Sequence, residues 1–303
     1  MKHILIPCDF SSEAEEAFIF GISLARVTQA EITVLYIIEF PILTDPASGI
    51  PLQIDRNLYQ KLEGHANEKF KEFCSKHAHD YPKTKLVVKE GPVAPTINQY
   101  AEQHHIDFVV MGTKGASGLK EFFVGSNTEK VVRFSPVPVF SLRKAPALSA
   151  IKTIVHPTSL ELDQTTFITR LKAIQSIFNA HLHLLYINTR HTFMKEVDID
   201  EFISFYGLKN VSYSLRDAAV EQEGIFDFVK EKQPDLLAMA THGRRGLSHF
   251  FSGSISEDVI NRIECPVWTC ALKKTEDVEL QQREQHATTE RQKRHLREYR
   301  VRF

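Results

Sequence analysis

The chain has 303 residues, a formal charge of −1 and 43% hydrophobic residues, which suits about two domains with a core each. The near-zero charge excludes a global electrostatic pull toward nucleic acid or anionic lipid. Its four cysteines (Cys8, Cys74, Cys265, Cys270) form no C-x-x-C pair and no apolar run approaches the roughly 20 residues of a membrane span, so the expectation is a reduced, soluble, cytoplasmic protein without a signal peptide.

Short β-branched runs alternate with helical patterns from the start of the chain. Strands are predicted near His3 to Cys8, Glu31 to Ile38, Thr84 to Glu90, Asp107 to Met111 and Val137 to Leu142. Helices are predicted near Ser11 to Thr28, Asn57 to His77, Val93 to His104 and Ser126 to Phe134. Ser11 or Ser12 can cap the first helix, with Glu15 placed for a capping interaction. Glu39 to Arg56, with Pro41, Pro46, Gly49 and Pro51, reads as a long loop. Strands buried on both faces need helices on both sides, which gives an α/β fold with a doubly wound, five-stranded parallel sheet whose ligand sits beyond the carboxyl ends of the strands.

The second part of the chain repeats the first. Lys2 to Pro7 matches Lys152 to Pro157, and Leu35-Tyr36-Ile37 matches Leu185-Tyr186-Ile187 at the same offset. Asp107 then pairs with Asp235, Gly125 with Gly253, and Pro138-Val139 with Pro266-Val267. The changed offset gives the first copy about 22 extra residues, most of them assigned to the Glu39 to Arg56 loop. Two tandem domains follow, over 1–145 and 150–273, and then a charged tail over 274–303. The tail carries Arg291, Lys293, Arg294, Arg297, Arg300 and Arg302 among acidic residues and has few aromatics, which favours a solvated segment over a nucleic-acid arm.

A glycine-punctuated loop ends the fourth strand of each copy: Met111-Gly112-Thr113-Lys114-Gly115 to Gly125-Ser126, and Met239-Ala240-Thr241-His242-Gly243 to Gly253-Ser254. Glycines after a strand let backbone N–H groups converge on an anion, and Gly125-Ser126-Asn127 offers a helix N-terminus to the same point. The alternative is a tight turn. No G-x-x-x-x-G-K-[ST] motif is present, and the loop falls too late for a dinucleotide fingerprint.

Gly-x-x-Gly, nine residues and Gly-Ser, with Ile6-Pro7-Cys8-Asp9-Phe10-Ser11 and Pro136-Val137-Pro138-Val139, resemble the universal stress protein family in tandem form over about residues 1 to 273. The resemblance implies a Rossmann-like sheet similar to other adenine-nucleotide-binding (adenine nucleotide alpha hydrolase-like) folds. It also implies ATP or AMP as ligand in some members, and pseudo-twofold pairing of domains through their last strands. Residue by residue, it implies Asp9 beside the ribose and any Mg²⁺ bridging the phosphates, and Ile37 meeting adenine through its backbone. Met111 and Gly112 would line the ribose, and Gly115, Gly125, Ser126 and Asn127 would hold the phosphates.

The second copy departs from this pattern. Ser159 replaces Asp9 and Ala240 replaces Gly112, while Gly243, Gly253, Ser254 and Ile255 leave a weak anion site at most. The expectation is nucleotide binding mainly in the first domain of a stress-response protein, acting by nucleotide-dependent signalling or protection. A slow Mg-dependent ATPase and a nucleotide-free scaffold are the alternatives, and no catalytic residues are assigned. Further homodimerisation is open.

Three other constellations stand out. His181 and His183 share one face of a strand without an identifiable third ligand, which favours polar strand histidines over a metal site. His77-Ala78-His79 and His104-His105 end helices. Cys8 reads as a small buried hydrophobe ahead of a redox thiol.

Overall fold

The computed structural model describes residues 2–40, 56–81, 83–113, 125–160, 164–189, 196–241 and 263–272. The first half runs β1 (His3–Pro7), α1 (Ser12–Thr28), β2 (Glu31–Ile38), α2 (Arg56–His77), β3 (Thr84–Glu90), α3 (Val93–Gln103), β4 (Phe108–Gly112), α4 (Ser126–Phe134) and β5 (Val139–Leu142). After a 3-10 turn at Leu148–Ala150 come β6 (Thr153–Pro157), α5 (Thr165–Phe178), β7 (His181–Asn188), α6 (Glu196–Tyr206), β8 (Val211–Asp217), α7 (Glu221–Lys232), β9 (Leu236–Thr241) and β10 (Val267–Ala271).

All ten strands lie in one sheet, ordered β3-β2-β1-β4-β5-β10-β9-β6-β7-β8. Neighbours are parallel within each half, and β5 meets β10 antiparallel. In the 3-2-1-4-5 order of each half, direction reverses between the first and fourth strands, and a crevice opens there at their carboxyl ends. At the seam Phe140 faces Trp268, its own counterpart in the repeat, so a pseudo-twofold axis passes between them. The buried hydroxyls obey the same symmetry: Ser141 Oγ donates to Val267 O at 3.3 Å and Thr269 Oγ1 to Val139 O at 3.4 Å.

Left-handed residues confirm the alignment of the copies. Phe10 and Leu160 have φ of 59° and 60°, Gln29 and Asn179 58° and 49°, and His105 and Gln233 50° and 45°. The acids that open the fourth strands also match. Asp107 Oδ2 accepts the N–H groups of Lys2 and His3, and Asp235 Oδ2 those of Lys152 and Thr153, which satisfies donors at the otherwise unpaired start of β1 and β6.

Part of the first copy's extra length lies in helix, since α2 has 22 described residues against 11 in α6, while most of the Glu39 to Arg56 loop lies outside the described residues. One expectation is corrected. Glu15 does not close a capping box. Ser11 caps α1 through Ala14 N–H, while the Glu15 carboxylate crosses to α2, 2.6 Å from Lys76 Nζ and 2.7 Å from His77 Nε2. Those partners, Lys76 first, hold the Glu15 carboxyl below its usual range.

The copies also exchange bulk inside the core. Ile6 lies against Gly21 in the first half, where an added Cβ would come within 2.5 Å of Ile6 Cδ1. The second half has His156 and Leu171 at these positions, both buried. His156 Nδ1 is 3.0 Å from Ala238 O, the ring packs on Phe167, and Nε2 has no hydrogen-bond partner. Burial drives this imidazole down to about 4, against the opposing pull of the Ala238 hydrogen bond. A depressed folded-state pKa means that stability present above about 6.5 is lost as pH falls toward 4. Denaturant melts at pH 7 and pH 4.5 should therefore show His156→Ile losing roughly 2 kcal/mol less than the parent. Parallel losses in the two proteins would refute this account.

Candidate functional site

The crevice of the first half is a cavity lined by the carboxyl ends of β1, β2 and β4 and the amino ends of α1, α3 and α4. Leu35, Ile37, Val93 and Ile97 form an apolar wall, while Asp9, Gly112, Gly125, Ser126, Asn127 and Thr128 line the polar part. Asp9, Ile37, Met111, Gly112, Gly125, Ser126 and Asn127 are thus brought together in one place. Gly115, and Gly243, Gly253, Ser254 and Ile255 of the second copy, lie outside the described residues, as does the tail.

Asp9 follows β1, where Phe10 takes a left-handed backbone and turns the chain into α1. The Phe10 ring is held by Tyr36 and Phe73 at centroid distances of 5.5 and 5.3 Å. Asp9 Oδ1 accepts from Ser11 N–H at 3.0 Å and from Ser11 Oγ–H at 2.6 Å, and Ser11 Oγ accepts in turn from Ala14 N–H. The carboxylate is therefore oriented by the helix cap before any ligand arrives. Cys8 is a buried hydrophobe: burial pushes its thiol up to about 12, so it is no thiolate nucleophile at neutral pH.

The two ends of the glycine loop are tied to each other. Gly125 N–H donates to Thr113 O at 2.8 Å and Thr128 Oγ1 to Gly112 O at 2.9 Å. These bonds hold the start of α4 against the end of β4. Gly125 occupies the N-cap without a side-chain cap, so among the described residues no capping side chain stands between the first N–H groups of α4 and the cavity. A helix N-terminus in that condition favours an anion.

The role expected of Gly112 changes. Its backbone is not left-handed; glycine is required because an added Cβ would come within 2.8 Å of Glu13 O and 2.9 Å of Glu13 Cβ. Gly112 lets the first turn of α1 cross the end of β4. Where Ala240 takes its place, the helix begins later: α5 starts at Thr165, the counterpart of Glu15, with no side-chain cap. Sequence reasoning also missed Ala14, Val93, Ile97 and Thr128. The i, i+4 spacing of Val93 and Ile97 directly after Gly91-Pro92 was the available signal.

The strand histidines form a ladder. Asn210 Nδ2 donates to Ala180 O, leaving its Oδ1 to accept from His181 Nδ1 at 3.0 Å. Ser212 then sits between His181 Nε2 and His183 Nδ1, and Ser214 meets His183 Nε2. Every ring nitrogen is engaged, and no group of three His, Cys, Asp or Glu able to hold a metal occurs among the described residues. No described helix is long and apolar enough to cross a membrane.

Comparison with known proteins places this geometry in context. The model of the universal stress protein family matches residues 1–143 and 214–271. A universal stress protein of Methanocaldococcus jannaschii is 29% identical over 144 residues, covering 47% of this chain and 82% of the relative. Universal stress protein A homolog 1 of Coxiella burnetii is 28% identical over 142 residues, 46% of this chain and 95% of the relative. The crystal structure of a universal stress protein from Archaeoglobus fulgidus superposes with a TM-score of 0.69 over 89% of this chain and 98% of its own, at 20% identity, a likeness of fold.

Gly112→Ala is expected to destabilise the chain by about 1–3 kcal/mol in chemical denaturation, because the methyl would meet the Glu13 backbone and Cβ, which no rotamer change moves aside. A variant as stable as the parent would remove the steric argument.

Proposed function

Since this chain belongs to the universal stress protein family, we propose that it is a cytoplasmic stress-response protein that binds ATP or AMP in its first domain, 1–145, and uses the second, 150–273, as a structural partner. The observation that carries this reading is the convergence, in one cavity, of an apolar wall, an oriented carboxylate and an uncapped helix N-terminus. Those are the three things a nucleotide presents surfaces for: a planar base, a ribose and a phosphate chain.

In this reading the base lies against Ile37, Leu35 and Val93, at the end of β2. Asp9, already fixed by Ser11, accepts from ribose hydroxyls or holds the magnesium that accompanies the phosphates. Met111 and Gly112 flank the sugar, and Gly115, Gly125, Ser126 and Asn127 receive the phosphates through backbone N–H and the Ser126 hydroxyl. Magnesium would supply charge neutralisation for the phosphate oxygens. Among the described residues lining the cavity, Asp9 is the one carboxylate, and it is engaged with Ser11. That favours binding over turnover, with occupancy of the site as the signal.

Two measurements test this. Mass spectrometry of small molecules released by heating the purified full chain should find an adenine nucleotide. In titrations with MgATP, Asp9→Asn, which keeps an acceptor for Ser11 but loses the charge, should weaken binding about tenfold, roughly 1.4 kcal/mol. An unaltered affinity would strip Asp9 of its role, and a parent protein that neither carries nor binds nucleotide would end the proposal.

A further inference from the structure

The second crevice differs from the first by what fills it as well as by what it lacks. The left-handed landmarks at Phe10 and Leu160 and at Gln29 and Asn179 bracket α1 and α5 at one constant offset, so Ala14 corresponds to Gln164. Ala14 lines the first cavity with a methyl. Gln164 extends an acetamide group beyond the same Cβ and is only 3% exposed. Its Nε2 reaches 3.4 Å from the Oγ of Ser159, the residue in Asp9's place, so the amide lies across the position where the first half keeps its carboxylate accessible.

Two further neighbours hold the residue there. Its N–H donates to the Tyr206 hydroxyl at the end of α6, at 3.0 Å. The amide also adjoins the buried ring of His156. Ala240 stands where Gly112 allowed α1 to cross, and the helix start has withdrawn to Thr165.

The base end of the crevice is altered too. Ile37 is half-buried and lines the first cavity, whereas Ile187 is 6% exposed and sinks onto α7, where an added Cβ on Gly224 would come within 2.8 Å of it. By the offset that matches His105 to Gln233, Val93 of the apolar wall becomes Glu221. A carboxyl thus stands where the first half offers valine methyls to a base, and burial raises it to about 7.

We propose that the second crevice is closed from within, by Gln164 at its ribose end and Ile187 on Gly224 with Glu221 at its base end. These residues, and not only the loss of Asp9 and Gly112, limit the chain to one nucleotide. This rests on the nucleotide reading of the first half and names what sets its stoichiometry. The crevice has been converted from a ligand site into packing, which lets the second half stay folded without a ligand.

The test is a calorimetric titration of three full-length chains with MgATP, each checked for cooperative melting. The parent should bind one nucleotide. A chain carrying the second half's residues in the first, Ala14→Gln with Val93→Glu, should lose at least about tenfold in affinity, and if it fails to fold, Val93→Glu alone carries the same expectation. A chain with Gln164→Ala, Glu221→Val and Ser159→Asp should gain a second, weaker site. Two nucleotides on the parent, undiminished affinity after the transplant, or no second site in a folded opened chain would each overturn the inference. A parent that binds none would instead overturn the reading beneath it, which keeps the two failures apart.

Discussion

The antiparallel pairing of β5 with β10 is the contact on which the rest of the molecule depends. Each half is a parallel sheet that ends in a short apolar strand, buried at every position of Val139–Leu142 and at four of five positions of Val267–Ala271. An open apolar edge of that kind is an aggregation template, and each half covers the other's. The pairing is also self-complementary. Phe140 meets Trp268, and each strand sends one buried hydroxyl to the other's carbonyl. Because the seam needs both halves, the second half is retained by the sheet whether or not it binds anything.

That constraint explains which features the two copies share and which they do not. The shared ones hold the backbone: the aspartates that satisfy the starts of β1 and β6, the left-handed turns after β1 and β6, and the left-handed ends of α1 and α5. The divergent ones lie at the carboxyl ends of the strands or under the first helix, where the seam is not touched. Asp9, Ala14, Val93 and Gly112 give way there to Ser159, Gln164, Glu221 and Ala240, and Ile6 over Gly21 becomes His156 over Leu171. The substitutions fit one another. With Ala240 blocking the close crossing, the helix starts later, and the space freed beside Ser159 receives Gln164.

The attachment of the first helix was rebuilt by different chemistry in each half. In the first, Glu15 on α1 pairs with Lys76 and His77 at the end of α2; in the second, the Tyr206 hydroxyl at the end of α6 takes the N–H of Gln164. Both tie the start of the helix beside the crevice to the end of the next one. The ion pairs are partly exposed and add modestly to stability, so geometry is their main contribution.

Much of this was legible in the chain itself. Alternation of β-branched runs with helical patterns determines the α/β class and the strand bounds, since a buried parallel strand and an amphipathic helix leave periodicities that need no distant partner to be read. The repeat, at its two offsets, determines that the halves share a fold. What only the tertiary structure decided are relations between residues remote in sequence. Gly112 answers to the backbone of Glu13, Glu15 turns to α2 instead of its own helix, and the Gln164 amide turns back onto Ser159. Local propensity is written residue by residue along the chain; the space a side chain must share is set by whatever the fold brings against it, and that appears only when the sheet has closed.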